Sequence, residues 1–247
     1  MRLIVALLLA AGAAGAAGAA AAREPVVPRS TLPGLSSAER RVAVDARAMP
    51  WAALGRVQTE LGGRCTGVLI APDRVLTAAH CLVNRATGGL IQPGSVHFLQ
   101  GFSRGSYTGH ARVAALTVGA GWDPARRAPF GADWAVLALA TRIAGPVVPL
   151  WQGEITVGAP LLLGGYQQDR PEVLLADTRC ALLGGGRDTS GLPLLLHGCA
   201  ATRGASGAPL LLVLPGGRFA VMGVVSAVEN STGRGVAVPA SQVGLPR

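Results

Sequence analysis

The stretch Leu76-Thr77-Ala78-Ala79-His80-Cys81 decides how the rest of this chain is read. Further along, Gly131-Ala132-Asp133-Trp134-Ala135-Val136-Leu137-Ala138-Leu139 sets an acid at the head of an apolar run. Later still, Gly204-Ala205-Ser206-Gly207-Ala208-Pro209 holds a serine between glycines. A serine hydroxyl is a weak nucleophile at neutral pH and needs a base within hydrogen-bond reach. An imidazole supplies that base, and a carboxylate behind it fixes the tautomer and stabilises the imidazolium. Taken singly, each piece is ordinary. A lone histidine is more often structural, a Gly-flanked serine is common turn chemistry, and an acid before an apolar run is also a strand end. Their coincidence in one chain is what carries weight.

The chain has 247 residues, half of them hydrophobic, enough for one large domain or two small ones. Residues 1–22 read as a secretory signal peptide: Met1-Arg2 is a positive start, Leu3 to Ala10 an apolar core, and Ala20-Ala21-Ala22 a small-residue end with cleavage expected before Arg23. The apolar part is short for a membrane anchor, and no later stretch has the length of a spanning helix. From residue 23 to 41 the chain carries Pro25, Pro28 and Pro33 without periodicity, as a propeptide or flexible arm would. The domain proper is expected over 42–247. Its short apolar runs, such as Gly67-Val68-Leu69-Ile70, Arg74-Val75-Leu76, Leu161-Leu162-Leu163 and Val221-Met222-Gly223-Val224-Val225, are split by Gly, Pro, Asp and Arg. That spacing points to an all-β sandwich or barrel. Internal repeats are not visible in the sequence, and Ser241 to Leu245 is expected to form a short terminal turn.

The formal charge of +9 comes entirely from arginine against 13 acids; there is no lysine. The arginines are scattered, adjacent only at Arg40-Arg41 and Arg126-Arg127, and aromatics are few. Neither a stacking platform nor a basic stripe is present, so the balance does not indicate nucleic-acid binding. Four cysteines in an exported chain suggest two disulfides, and sequence alone permits three pairings. A zinc site would need thiolates and imidazoles at ligand spacing, and His80-Cys81 is the only adjacent pair. No metal or cofactor is expected.

The residues around His80, Asp133 and Ser206 resemble those of the chymotrypsin-like (trypsin-fold) serine peptidases, over nearly everything after Val42. The resemblance implies two six-stranded antiparallel β-barrels, near 48–140 and 150–240, with the site in the cleft between them. It implies His80, Asp133 and Ser206 as the triad, the backbone N–H groups of Gly204 and Ser206 as the oxyanion hole, and the bridge Cys65–Cys81 of the histidine loop, leaving Cys180 with Cys199. Loops of about 15–20 residues closed in this way are worth roughly 3 kcal/mol each. Ala200 and Ala201 would floor the specificity pocket, Val225 and Ser226 would lie on its strand, Gly235 on its far wall, and substrate backbone would pair along 226–228, through Ala227 and Val228. Polypeptide substrates, a secreted or periplasmic location and a monomer are the corresponding expectations.

Departures from the family pattern narrow the reading. Digestive relatives place Asp immediately before the nucleophile, where it receives a new N-terminal ammonium; here Ala205 stands there, so that switch has no carboxylate to use. Cys199 lies seven residues before Ser206, and Gly198-Cys199-Ala200-Ala201-Thr202-Arg203-Gly204-Ala205-Ser206 resembles the bacterial extracellular V8-like (glutamyl-endopeptidase) branch. A trypsin-like pocket needs a buried carboxylate where Ala200 stands, and glutamate-preferring relatives use histidine where Val225 stands and a hydroxyl where Ala201 stands. An apolar pocket favouring an uncharged side chain is expected. A free amino terminus reaching the pocket, as in some relatives, would leave an acidic preference open. Arg40-Arg41-Val42 is a candidate processing point. The readings in competition are a silent homologue using the cleft to bind protein, and an α/β-hydrolase esterase. The latter needs Gly-x-Ser-x-Gly and the order Ser, acid, His, and neither is present.

Overall fold

Gly55 and Gly164 show how this glycine-rich chain packs. A Cβ on Gly55 would strike the Phe98 ring, and one on Gly164 would strike the Trp51 indole, so strands close onto aromatic faces. The computed structural model describes residues 31–35, 40–229 and 232–244. The expected leader at 1–22, most of the arm and Leu245 lie outside these. Among the described residues the chain is almost wholly β, with six 3-10 turns.

Strands β2 (Leu54–Thr59), β3 (Arg64–Ala71), β4 (Arg74–Thr77), β5 (Val96–Gln100), β6 (Gly109–Val118) and β7 (Ala135–Leu139) close in the order β2-β3-β4-β7-β6-β5. The second barrel uses β8 (Pro160–Gly165), β9 (Leu175–Arg187), β10 (Pro193–His197), β11 (Pro209–Leu214), β12 (Arg218–Val228) and β13 (Gly235–Pro239). Its order is β8-β9-β10-β13-β12-β11, and β8 also pairs with β9 to close the ring. The two barrels therefore share one strand order, and every pairing between these strands is antiparallel. A further short strand, β1 (Arg41–Ala43), adds to the outside of β9 with Arg41 opposite Asp177.

Each barrel has its own apolar interior. Val57, Leu69, Val75, Phe98 and Leu137 fill the first; Leu161, Leu163, Leu182, Leu195 and Leu210 fill the second. A third cluster, with Trp51, Leu54, Val68, Leu76, Tyr166, Leu211 and Val238, spans the seam between them. Tyr166 is buried there and donates its hydroxyl hydrogen to the Phe102 carbonyl at 2.9 Å, with its ring edge-on to Phe102. Burial pushes its phenol well above the usual tyrosine range. Arg56 stacks over the other ring of that pair, its Cζ 3.6 Å from the Phe102 centroid. Disulfides join Cys65 to Cys81 and Cys180 to Cys199. A 3-10 turn at Ala240–Gln242 overlaps the expected terminal turn only at residues 241–242, and the backbone is extended at Val243.

His197 is a buried polar group inside the second barrel. Its Nδ1 accepts from the Cys199 N–H, and its ring fills the space that Gly235 leaves by lacking a Cβ. Burial lowers its pKa from 6.5 to about 4, so the folded chain holds it neutral. Between pH 6.5 and about 4 the unfolded chain binds more protons than the folded one, and stability falls as pH falls through that window. The full shift corresponds to about 3 kcal/mol. The melting temperature of the wild type is expected to drop more steeply from pH 6.5 to 4 than that of His197→Asn; parallel curves would contradict this.

Candidate active site

Strand pairing brings the first two site residues together. β4 and β7 are neighbours with Thr77 opposite Ala135. His80 sits in the turn Ala79–Leu82 just after β4, and Asp133 lies just before β7, after the turn Phe130–Ala132. The Cys65–Cys81 bridge ties the histidine turn back to β3. Gly131 N–H donates to Asp188 Oδ2 at 2.8 Å, so the turn carrying Asp133 is also clamped from the second barrel.

Asp133 is buried, with 4% of its side chain exposed against 21% for His80. An ionised carboxylate so placed needs donors, and it has three. His80 N–H reaches Oδ1 at 2.8 Å, His80 Nδ1 lies 2.7 Å from Oδ2, and Ser226 Oγ donates to Oδ2 at 2.5 Å. Since the carboxylate is an acceptor, the His80 proton resides on Nδ1, which leaves Nε2 with a lone pair. Ser226 lies on β12, the strand that the family resemblance assigns to the pocket; its hydroxyl bond to Asp133, 93 positions away, has no sequence signal.

Ser206 lies on the turn between β10 and β11, and Thr66 of the first barrel holds that turn. Thr66 N–H donates to the Ser206 carbonyl at 2.9 Å, and Thr66 Oγ1–H donates to the Gly204 carbonyl at 2.9 Å. The same Oγ1 accepts from Tyr166 N–H. Gly207, at φ +79°, lies against Thr77, Thr66 O and Ala78 N, where no Cβ would fit. This close approach seats the serine turn beside the segment leading to His80. Gly204, at φ +93°, is confined in the same way by the Tyr166 carbonyl. Ala205 N–H bonds to Thr202 O at 3.0 Å. Among the described residues, the flanking N–H groups of Gly204 and Ser206 have no hydrogen-bond acceptor.

The expected pocket residues gather around this turn. Ala200, Ala201, Val225 and Ser226 are buried, while Ala227 and Val228 are partly exposed at the end of β12. Val225 exchanges bonds with the Ser206 turn: it accepts from Gly207 N–H and donates to Ala208 O. Gly235 pairs with Val228. Gly34, from residues 31–35, packs on Ala201 and Val228, and its carbonyl accepts from Ala201 N–H at 3.4 Å. The acceptor of the Ala200 N–H is the fully buried Asp177, at 2.8 Å, a residue that no motif singled out. His97 and His110 stack on each other at the surface, away from this cluster.

Cys65, His80 and Cys81 are the one group of three potential metal ligands among the described residues. Both sulfurs are joined in the disulfide and His80 Nδ1 faces Asp133, so the donor set does not suit a metal ion.

Two β-barrels with a buried Asp–His pair and a glycine-bounded serine turn at their seam define a hydrolase of the serine-peptidase class. The model of the trypsin-like peptidase domain family matches residues 65–219, and the chain belongs to that family; it is a serine-type endopeptidase. Among solved structures, one described as a Glu endopeptidase in complex with MPD superposes with a TM-score of 0.70 at 21% identity. That match covers 83% of this chain and 92% of the other, and it shows the shared fold. No curated protein matches the chain.

Removing the Ser226 hydroxyl would leave Asp133 with two donors. Ser226→Ala is expected to lower kcat on a peptide substrate by roughly 10- to 100-fold with KM little changed, as steady-state kinetics would show. An unaltered kcat would contradict the role given to that hydroxyl.

Proposed function

We propose that the chain is a secreted or periplasmic endopeptidase that cleaves polypeptides through His80, Asp133 and Ser206, with an uncharged residue favoured before the scissile bond. The observation carrying this reading is the three-donor clasp on Asp133, which leaves His80 Nε2 as the free base nitrogen. In the proposed sequence, Nε2 takes the Ser206 proton as Oγ attacks the carbonyl carbon. The oxyanion is received by the N–H groups of Gly204 and Ser206. The imidazolium, held by Asp133, then returns its proton to the leaving amine. Water repeats the cycle on the acyl-enzyme. No metal or cofactor takes part.

The preference for an uncharged side chain rests on the pocket's chemistry. Ala200, Ala201 and Val225 present only apolar side chains, and the neutral His197 behind Gly235 adds no charge at neutral pH. Substrate backbone would run along Ser226, Ala227 and Val228 as an added strand. The leader at 1–22, the arm at 23–41 and the domain at 42–247 complete the proposal, with the enzyme acting as a monomer. Two disulfides suit an oxidising compartment. Among the described residues, no helix is long and apolar enough to cross a membrane.

A fluorophosphonate probe is expected to label Ser206 in the wild type and not in Ser206→Ala or His80→Ala. Either substitution should reduce turnover on the order of a millionfold. Absence of labelling in the folded wild type would favour a silent, protein-binding homologue. Mass-spectrometric profiling of a mixed peptide library is expected to show cleavage after uncharged residues; dominant cleavage after Arg or Glu would overturn the pocket assignment.

A further inference from the structure

The turn that carries Ser206 has Ala205 where digestive relatives place a carboxylate, yet its backbone is tied by hydrogen bonds on both sides. Its supports come from the dibasic pair at the start of the domain. Arg41 is buried to 2% exposure, and its guanidinium forks onto Asp169, at 3.1 and 2.7 Å. It also donates to Gln167 Oε1 at 2.7 Å. That same Oε1 accepts the Thr202 N–H at 2.9 Å, and Thr202 O in turn accepts the Ala205 N–H. Next to it, Arg40 donates to the Gly198 carbonyl at 2.5 Å and pairs with Asp177 Oδ2 at 3.0 Å. Asp177 Oδ2 is the acceptor of the Ala200 N–H. Two side chains of the second barrel, Gln167 and Asp177, are both fully buried and each link one arginine to one backbone N–H of the loop before the nucleophile.

We propose that Arg40 and Arg41 are positioning residues for the oxyanion turn, acting through Asp177 and Gln167 on the backbone of Ala200 and Thr202. They do by side-chain charge, from within the chain, what a buried terminal ammonium does in relatives with a carboxylate at the Ala205 position. The register of β1 explains the reach: Arg41 lies opposite Asp177 on β9, so the strand delivers both guanidinium groups to the back of the loop. The amide orientation of Gln167 is fixed by its two donors, because both require an oxygen. Burial alone would raise the Asp169 carboxyl; its hydrogen bond and charge pairing with Arg41 outweigh this and hold it below the usual carboxylate range. A fork of this kind is geometry that lysine cannot reproduce. The pair is therefore part of the working domain, which moves its start from residue 42 back to Arg40, and a cut between Arg41 and Val42 would disable the enzyme.

This inference extends the peptidase reading, and its test separates the two. Hydrogen exchange of the full-length chain reads the Thr202 and Ala205 N–H groups directly, without activity. In Gln167→Leu their exchange is expected to quicken on the order of tenfold or more, with the labelling rate of Ser206 by a fluorophosphonate falling by a similar factor. Arg41→Lys, which keeps the charge but not the fork, should fall between Gln167→Leu and the wild type, and it carries the test if Gln167→Leu does not fold. Less than about a tenfold change in loop exchange in folded Gln167→Leu, or wild-type exchange in Arg41→Lys, would overturn the proposal. So would a fully active secreted form whose sequenced amino terminus is Val42; an active form beginning at or before Arg40 is the expected result. A wild type that takes no probe would sink the peptidase reading alone, leaving the exchange measurement to judge the brace.

Discussion

A carboxylate buried at an apolar seam is the constraint around which this molecule is arranged. Asp133 sits almost without water, and its charge is tolerable only because three donors converge on it from different parts of the chain. Two come from His80 and one from Ser226 on β12, so the charge fastens the histidine turn of one barrel to a strand of the other. The imidazole orientation follows from satisfying that charge. In the proposed mechanism the chemistry follows from electrostatic necessity: with Nδ1–H committed to the acid, Nε2 is the nitrogen left to act as base.

The seam is reinforced at Tyr166 and Thr66. Tyr166 crosses from the second barrel to the Phe102 carbonyl, and Thr66 crosses the other way to the Gly204 and Ser206 carbonyls. Both barrels repeat one strand order, so the architecture is a doubled unit with its functional groups at the junction. The repeat left no trace along the sequence, because barrel topology constrains only the alternation of buried side chains and permits wide substitution at each.

Motifs whose meaning is local were readable in advance. His80 after β4, Asp133 before β7 and the glycines around Ser206 are short backbone devices; the structure joins His80 to Asp133, and the Ser206 turn packs against the segment before His80. Short apolar runs split by turn residues pointed to an all-β sandwich or barrel, and the family resemblance to paired barrels and both disulfides. The supports were not readable. Asp177 and Gln167 act on N–H groups 23 and 35 residues away, and nothing around them marks an acceptor. Arg40 and Arg41 looked like a protease target because charged pairs are normally solvated; only β1, a strand of three residues, carries them into contact with β9. Ser226 was noticed for its strand, while its hydroxyl acts elsewhere.

Thr66 engages two of its polar atoms across the junction, its N–H and its hydroxyl, while its carbonyl receives Thr77 Oγ1 at 2.8 Å within the first barrel. A chimera exchanging one half of this molecule for that of a relative would have to transplant Thr66 together with residues 204–206 as a matched cassette. Grafts that divide the two would leave polar backbone stranded at the graft line.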